Sequence, residues 1–251
     1  MSDAPSSARM RLDQALVARG LADSRARAQA LIAAGAVTVA GAAATRASTR
    51  VGPEAELALI ADPLPWVSRA ALKLAHALDE FGLIPGGEAL DLGASTGGFT
   101  ELLLARGAAR VHAVDAGRDQ LHPKLRDDPR VVSLEGLNAR DLTQDLVPAP
   151  DWITADLSFI GLAKALPPAL ALARPGARLV ALIKPQFEAG PARVGRGGLV
   201  RDPAVHEQVR AEIRAFLQAS GWRVTHEGVS PIEGGDGNRE FLIAALKPQD
   251  Q

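Results

Sequence analysis

The 251-residue chain contains no cysteine and no tyrosine, and only three tryptophans. Without cysteine there is no disulfide scaffold, no thiolate nucleophile, no cysteine-ligated zinc and no iron–sulfur cluster. Radical chemistry and any mechanism that attaches a base covalently to sulfur are thereby excluded. An excess of charge of either sign is also missing: 28 Lys and Arg stand against 29 Asp and Glu, a formal charge of -1. The molecule as a whole therefore does not attract polyanions, and a nucleic-acid surface has to be a local patch. Long apolar runs are absent as well. Those from Leu166 to Ala173 and from Leu179 to Ile183 are interrupted well short of the ~20 residues that span a bilayer. Residues 1–10 begin small and polar, which predicts a loose tail and no secretion signal, so the expected location is the cytoplasm. The histidines at 76, 112, 122, 206 and 226 lack metal-ligand spacing, and no metal is expected. What is present, 47% hydrophobic and 23% charged residues, suits one large α/β domain or a medium domain with a small appendage.

Leu12, Leu16 and Val17 share one face of a helix over 11–19, with Gly20 as its C-terminal cap. A second helix starts at Ser24, carries Ala28, Leu31 and Ile32 on one side and Arg25 and Arg27 on another, and ends at Gly35. Short strands follow around Val37 to Val39, and Val51, Leu57, Leu59 and Ile60 supply a closing strand. The Asp62-Pro-Leu-Pro65 break then precedes a new helix containing Ala71, Leu74, Ala75 and Leu78. The pattern predicts a compact unit over 11–62, a linker over 63–68 and a second domain over 69–248. From Glu88, apolar strands at 89–92, 110–114, 130–134, 151–155 and 178–183 alternate with helical stretches. A long helix from Pro203 to Ala219 and an antiparallel terminal pair at 222–226 and 240–246 complete the order. This predicts an α/β fold with a mainly parallel sheet, covered on both faces, and an antiparallel last strand.

Asp91-Leu-Gly-Ala-Ser-Thr-Gly-Gly98 follows the first of these strands and opens a helix, so backbone amides can approach a ligand at the helix N-terminus. Roughly twenty residues on, the next strand ends at Asp115, whose carboxylate can accept two hydrogen bonds from a ribose diol. A dinucleotide site and an ordinary αβ turn are the competing readings. A carboxylate in the turn disfavours a pyrophosphate but suits an ammonium group, so an amino-acid nucleoside such as S-adenosylmethionine fits better than a dinucleotide.

Asp156-Leu-Ser-Phe159 follows the fourth strand and so lies at the carboxyl edge of the sheet beside that loop. It is not the Asn/Asp-Pro-Pro-aromatic run with which amino-group methyltransferases grip an NH₂. The fifth strand runs into Ile183-Lys-Pro-Gln-Phe-Glu188, which puts Lys184 at the same edge. Lys73, on the helix before the first strand, and Glu240, at the start of the last, can converge there. A ribose hydroxyl ionises far above neutrality, so methyl transfer to it needs a group that takes or neutralises charge as attack develops. A lysine beside carboxylates does this, either as an ammonium stabilising an alkoxide or as an amine accepting the proton, with Asp156 and Glu240 setting its orientation. Each residue also has a plainer reading, Lys73 as a snorkelling side chain and Glu240 as an exposed strand-edge group.

Ser68-Arg-Ala-Ala-Leu-Lys-Leu74, the 91–100 loop, Ala113-Val-Asp115, Asp156-Leu-Ser-Phe-Ile160, Ile183 to Glu188 and Gly237-Asn-Arg-Glu-Phe-Leu242 together resemble the TlyA family. Its members are S-adenosylmethionine-dependent ribosomal RNA 2′-O-methyltransferases, many of them named hemolysins. They join a small N-terminal α+β S4-type RNA-binding domain to a Rossmann-like, FtsJ-like methyltransferase domain, and the two units occur in that order here. The resemblance implies transfer of a methyl group to a cytidine ribose 2′-hydroxyl in ribosomal RNA or ribosomal subunits. It implies a catalytic set of Lys73, Asp156, Lys184 and Glu240, with Lys184 acting on the hydroxyl. It also implies a donor site of Asp91, Gly93, Ala94, Ser95, Thr96, Gly97, Gly98 and Phe99, with Asp115 on the ribose and Asn138 near the adenine. Two positions depart from the family pattern: Ala70-Ala71 replaces a glycine pair, and Ala40 stands where the RNA-binding unit often has Asn.

For RNA contacts, Arg11, Arg25 and Arg27 form one candidate face, with Arg50 beside them; the alternative is an ordinary solvated basic helix. The Gly190 to Arg201 stretch, with Arg193 and Arg196, reads as a mobile substrate loop that orders on RNA. Phe187 or Trp66 is a candidate to stack on an extruded nucleotide. Two other functions compete. A hemolysin-like membrane-damaging protein is disfavoured by the lack of a signal, a span or a strongly amphipathic basic helix. A catalytically inactive RNA-binding protein is disfavoured by the presence of all four members of the catalytic set.

Overall fold

The computed structural model describes residues 9–33, 36–44, 46–59, 66–234 and 237–249. It divides into two compact units, Met1–Pro65 and Trp66–Gln251. Most of the expected tail, the helix end at Gly35, Ile60 and the Asp62 to Pro65 break lie outside the described residues.

The first unit runs β1 (Met10–Arg11), α1 (Leu12–Ala18), α2 (Arg25–Ala33), β2 (Val37–Val39), β3 (Ala42–Ala43), β4 (Arg50–Val51) and β5 (Leu57–Leu59). Strand β2 pairs antiparallel with β3 on one side and β5 on the other, while β1 pairs with β4. The single closing strand expected from Val51 onwards is therefore two strands in two sheets. Gly52-Pro53 separates them, because proline brings no N–H to a ladder. Arg11 belongs to β1 and not to the helix, and Gly20 follows α1 with φ +69°. Leu12, Ala15, Leu16, Ala28, Leu31 and Ile32 form the core. Val17, expected on that face, is exposed, since the stripe follows the 12, 15, 16 spacing of a helix.

The second unit contains α3 (Ala70–Glu80), β6 (Glu88–Leu92), α4 (Gly98–Ala105), β7 (Arg110–Asp115), α5 (Pro123–Arg126), β8 (Val131–Glu135) and β9 (Trp152–Ala155). It continues with α6 (Leu162–Ala165), α7 (Pro167–Leu172), β10 (Arg178–Ile183), α8 (Pro185–Glu188), α9 (Pro203–Ala219), β11 (Arg223–Val229) and β12 (Phe241–Leu246). The strands form one seven-stranded sheet in the order β11-β12-β10-β9-β6-β7-β8. Strands β6 to β10 are parallel, and β12 runs antiparallel to both of its neighbours. This is the Rossmann-like α/β sheet with an antiparallel last strand.

Along β10, Leu179, Ala181 and Ile183 pack into one hydrophobic cluster and Val180 and Leu182 into another. Side chains alternate across a strand, so helices cover both faces and only the strand ends are open for chemistry. The chain proceeds from β6 outward through β7 and β8, then returns to β9 on the other side of β6. Ligands bind at such a reversal, at the carboxyl ends of the strands.

Candidate active site

After β6 the backbone turns at Gly93, whose φ is +80° and where a Cβ would lie 2.6 Å from the Asp156 backbone oxygen. Only glycine lets the loop after β6 approach the loop after β9 this closely. The amides of Gly93 and Ala94 both donate to Val114 O, at 2.9 and 3.1 Å, which ties the turn to β7. At the end of β7, Asp115 accepts from Ser95 N (2.8 Å) and Gly117 N (2.7 Å), one on each carboxylate oxygen. Each oxygen keeps a further lone pair for a hydroxyl donor. Asn138 Oδ1 accepts from the backbone N and the Nε of Arg140, both at 3.1 Å. Gly93, Ser95, Asp115, Leu137, Asn138 and Phe159 line a cavity of about 720 Å³, a size suited to a nucleoside-bearing small molecule.

The remaining members of the expected donor loop divide by role. Ala94, Thr96 and Phe99 line a second, smaller cavity, which also shares Gly93 and Ser95 with the first. Gly97 and Gly98 line neither cavity. A Cβ at Gly98 would lie 2.2 Å from Ser68 Oγ and 3.1 Å from Ala71 N, so this glycine allows α3 to sit against α4.

The expectation that Asp91 meets the ligand's ammonium is corrected by its placement. Its carboxylate is fully buried beneath the loop and takes hydrogen bonds from Thr100 Oγ1 (2.7 Å) and Thr154 Oγ1 (2.9 Å). The side chain points into the interior from a strand packed on both faces, so it anchors the loop from below. Burial pushes its carboxyl from an ordinary 3.8 up to about 6, against the pull of the two threonine hydroxyls. A raised carboxyl pKa stabilises the fold below the unfolded value, and this contribution is lost as pH rises through about 6. Asp91→Asn, which stays neutral, is expected to gain up to about 3 kcal/mol relative to the parent between about pH 4 and 7. Denaturant unfolding at a series of pH values checks this; parallel curves for the two proteins would show that the carboxyl does not titrate abnormally.

The smaller cavity, of about 300 Å³, holds the other half of the site, with Lys73, Asp156, Ser158 and Lys184 in its wall. Lys73, one turn into α3, places Nζ 2.6 Å from Glu240 Oε2, and their side chains are 10% and 2% exposed. Lys184 Nζ lies 2.5 Å from Asp156 Oδ1, with exposures of 10% and 14%. It also donates to Ser158 Oγ at 3.0 Å. The sheet register explains the meeting. Ile183 pairs with Phe241 and Ala155 with Leu92, so Lys184, Glu240, Asp156 and Gly93 all stand one residue beyond these pairs at the same edge. Pro185 begins α8 and ends β10, and the Glu188 carboxylate accepts from Leu162 N at 2.8 Å, tying the turn after β10 to α6. The departure at Ala70-Ala71 is accommodated, since Ala71 is completely buried and Ala70 Cβ would be 3.3 Å from a Cβ at Gly98.

Two residues of the site escaped the sequence reading. Ser158 Oγ accepts from Lys184 Nζ, and the residue lines both cavities. Phe159 is 92% exposed at the rim with φ +66°, an uncommon conformation for a bulky residue, and its ring lies 5.2 Å from that of Phe187. Both belong to the Asp156 to Phe159 motif, which was the available signal. Trp66, proposed as a stacking group, instead packs against the hydrophobic cluster under α3.

The candidate RNA-binding arginines are less free than their spacing suggested. Arg11 (3.0 Å) and Arg25 (2.9 Å) both pair with Asp13, which is fully buried and also accepts from Gln29 Nε2 at 2.9 Å. The Arg11, Gln29 and Arg25 donors hold the Asp13 carboxyl far below the usual range. Arg27 donates its backbone N–H to Ser24 Oγ at 3.2 Å, and Arg50 Nη1 donates to Arg9 O at 3.0 Å. In the second unit, the stretch carrying Arg193 and Arg196 is not a bare loop. It forms two 3₁₀ turns, Pro191–Arg193 and Arg196–Gly198. Buried Asn238 pins the second, donating to Gly198 O and accepting from Val200 N, both at 2.9 Å. Arg193 Nε donates to Ala189 O at 2.6 Å, and Arg196 is exposed.

Among the described residues no cluster of three or more potential ligands could hold a metal, and no helix is long and apolar enough to cross a membrane.

Residues 66–247 match the FtsJ-like methyltransferase family and residues 10–57 the S4 domain. The chain is 45% identical to the 16S/23S rRNA (cytidine-2′-O)-methyltransferase TlyA of Mycobacterium tuberculosis, over 94% of this chain and 89% of that one. It is 38% identical to Hemolysin A of Brachyspira hyodysenteriae, over 93% and 98%. A solved structure from Streptococcus thermophilus, 38% identical, superposes with a TM-score of 0.75 over 98% of this chain and 92% of the other. The N-methyltransferase NodS of Bradyrhizobium japonicum, at 16% identity and a TM-score of 0.50 over 72% and 95%, shares the fold alone.

Proposed function

Because the chain belongs to the TlyA family, we propose that it transfers the methyl group of S-adenosylmethionine to a cytidine ribose 2′-hydroxyl in ribosomal RNA. The observation that carries this reading is the pairing of two buried lysines with two carboxylates beside a nucleoside-sized cavity. Gly93, Ser95, Asp156 and Ser158 line both cavities, so donor and acceptor can meet across them.

The donor fits what the chain offers. The glycine turn at 93 leaves room that a Cβ would fill, Asp115 retains acceptor capacity for a ribose diol, and the segment at Asn138 forms the far wall. When bound, S-adenosylmethionine supplies an electrophilic methyl group on a sulfonium. Lys184 lines the acceptor-side cavity; as an ammonium it stabilises negative charge developing on the 2′-oxygen while the hydroxyl proton passes to solvent, or as a neutral amine it accepts that proton itself. Asp156 holds Lys184 in place. Lys73, balanced by Glu240, adds a second positive charge to the same cavity without leaving the pocket charged overall. Phe159 and Phe187 present rings at the rim on which an extruded base can stack. The S4 domain carries the sequence-independent hold on RNA, through arginines prearranged around Asp13.

Incubating the purified chain with methyl-labelled S-adenosylmethionine and ribosomal subunits tests the reading. Label recovered in 2′-O-methylcytidine after nuclease digestion is the expected result, and label confined to a base, or none in RNA, would refute it. Lysis of red cells without any transfer would favour the hemolysin reading. The double variant Arg25→Ala/Arg27→Ala is expected to weaken RNA binding and to reduce the slope of log K against log salt by about one for each phosphate that is no longer neutralised. An unchanged slope in a filter-binding titration would show that those arginines neutralise no phosphates.

A further inference from the structure

An ammonium group has three N–H donors, and what each one meets decides where the others point. Lys184 has two neighbours at the site, Asp156 Oδ1 at 2.5 Å and Ser158 Oγ at 3.0 Å. They act differently. The Asp156 contact is a close ion pair whose angles are poorer than those of a hydrogen bond. The Ser158 contact does have that geometry. Coulomb attraction to a carboxylate draws the ammonium in from any direction, whereas a hydrogen bond fixes rotation about the bond to nitrogen.

We propose that Ser158 is the positioning residue of the methyl transfer: its oxygen takes one N–H of Lys184 and so aims another into the acceptor cavity. Its place in the chain supports the assignment. Ser158 stands two residues after Asp156 on the turn that follows β9, so one short segment supplies both the charge partner and the directional partner of the lysine. It lines the donor-side and the acceptor-side cavities, which is where the reacting oxygen has to be held. The turn itself is fixed from beneath by Asp156 N donating to Leu92 O at 3.0 Å and by the close approach at Gly93. Ser158 does not touch the reacting atoms in this role; it acts through Lys184. The catalytic consequence rests on the methyl-transfer reading, while the orientation of Lys184 does not.

Ser158→Ala is expected to lower kcat by about 10–100-fold, the effect of losing one hydrogen bond to a charged group, and by more than any change in KM for RNA or in Kd for S-adenosylmethionine. Ser158→Thr, which keeps the hydroxyl, is expected to restore most of the rate. A wild-type kcat in Ser158→Ala would overturn the proposal. So would a threonine variant as slow as the alanine one, or a loss of donor affinity that accounts for the slow rate. A second readout needs no substrate. The side-chain ¹⁵N resonance of the Lys184 ammonium, assigned by its loss in Lys184→Arg, is expected to be visible in the parent and broadened by solvent exchange in Ser158→Ala. Equal resonances in the two proteins would also overturn the proposal. If the parent transfers no methyl to ribosomal RNA, the functional reading fails, and this resonance still decides whether Ser158 orients the lysine.

Discussion

Lys184→Ala is expected to reduce methyl transfer by about 10²–10⁴-fold, the range contributed by a positioned acid–base group, while S-adenosylmethionine binding measured by calorimetry persists. The separation follows from geometry. Lys184 lines the smaller cavity and not the larger one proposed for the donor, in whose wall Asp115, at the end of β7, stands. Removing the amine also leaves Asp156, with a side chain only 14% exposed, without its counter-charge, which adds a cost in stability. The double variant Lys184→Met/Asp156→Asn removes both charges together. It is expected to melt close to the parent and remain inactive, which assigns the loss to chemistry. Near-normal turnover in Lys184→Ala would take this lysine out of the mechanism.

Glu240→Ala is expected to cost about 3–5 kcal/mol of folding free energy, because it strands a buried ammonium. Lys73 Nζ has Glu240 Oε2 at 2.6 Å, and the two side chains are only 10% and 2% exposed, so solvent screens the pair little. A small domain has about 5–15 kcal/mol in total, so the variant stands near the limit of stable folding. Urea unfolding reads the effect as a shift in midpoint. Lys73→Met/Glu240→Leu, which removes the buried charge altogether, is expected to recover most of the stability and none of the methyl transfer. A midpoint unchanged in Glu240→Ala would mean that the pair is held by its surroundings and contributes little to the fold.

The two pairs also show how far the residue pattern reached. Strand-to-loop transitions at 92, 155 and 183 were legible from apolar bursts ended by glycine, aspartate and lysine, because strand burial and its termination are local properties. The four catalytic candidates were placed at one edge of the sheet by the strand pattern and named as a set by resemblance, but nothing in their spacing told which carboxylate would meet which amine. Lys73 and Glu240 are 167 residues apart, and they meet because β12 inserts antiparallel beside β10. Asp91 was misjudged for a related reason. Its neighbours in sequence suggested an exposed turn, whereas Thr100 and Thr154, on two other elements, receive it in the interior. The arginines of the first unit were read as a candidate RNA face or a solvated basic helix, since a helical wheel does not reveal that Arg11 and Arg25 converge on one buried aspartate.

By itself, the sequence determined the element types, the alternation that makes a parallel sheet, and the glycine-rich turn suited to a nucleoside. These depend on backbone preferences and burial periodicities that act over a few residues. Only the tertiary structure decided the partners of Lys73 and Lys184, the interior position of Asp91, the exposure of Phe159 and the contact of Ser158 with Lys184. Those depend on strand order and register, which bring distant residues within about 3 Å, where charge and hydrogen bonding become strong enough to direct a reaction.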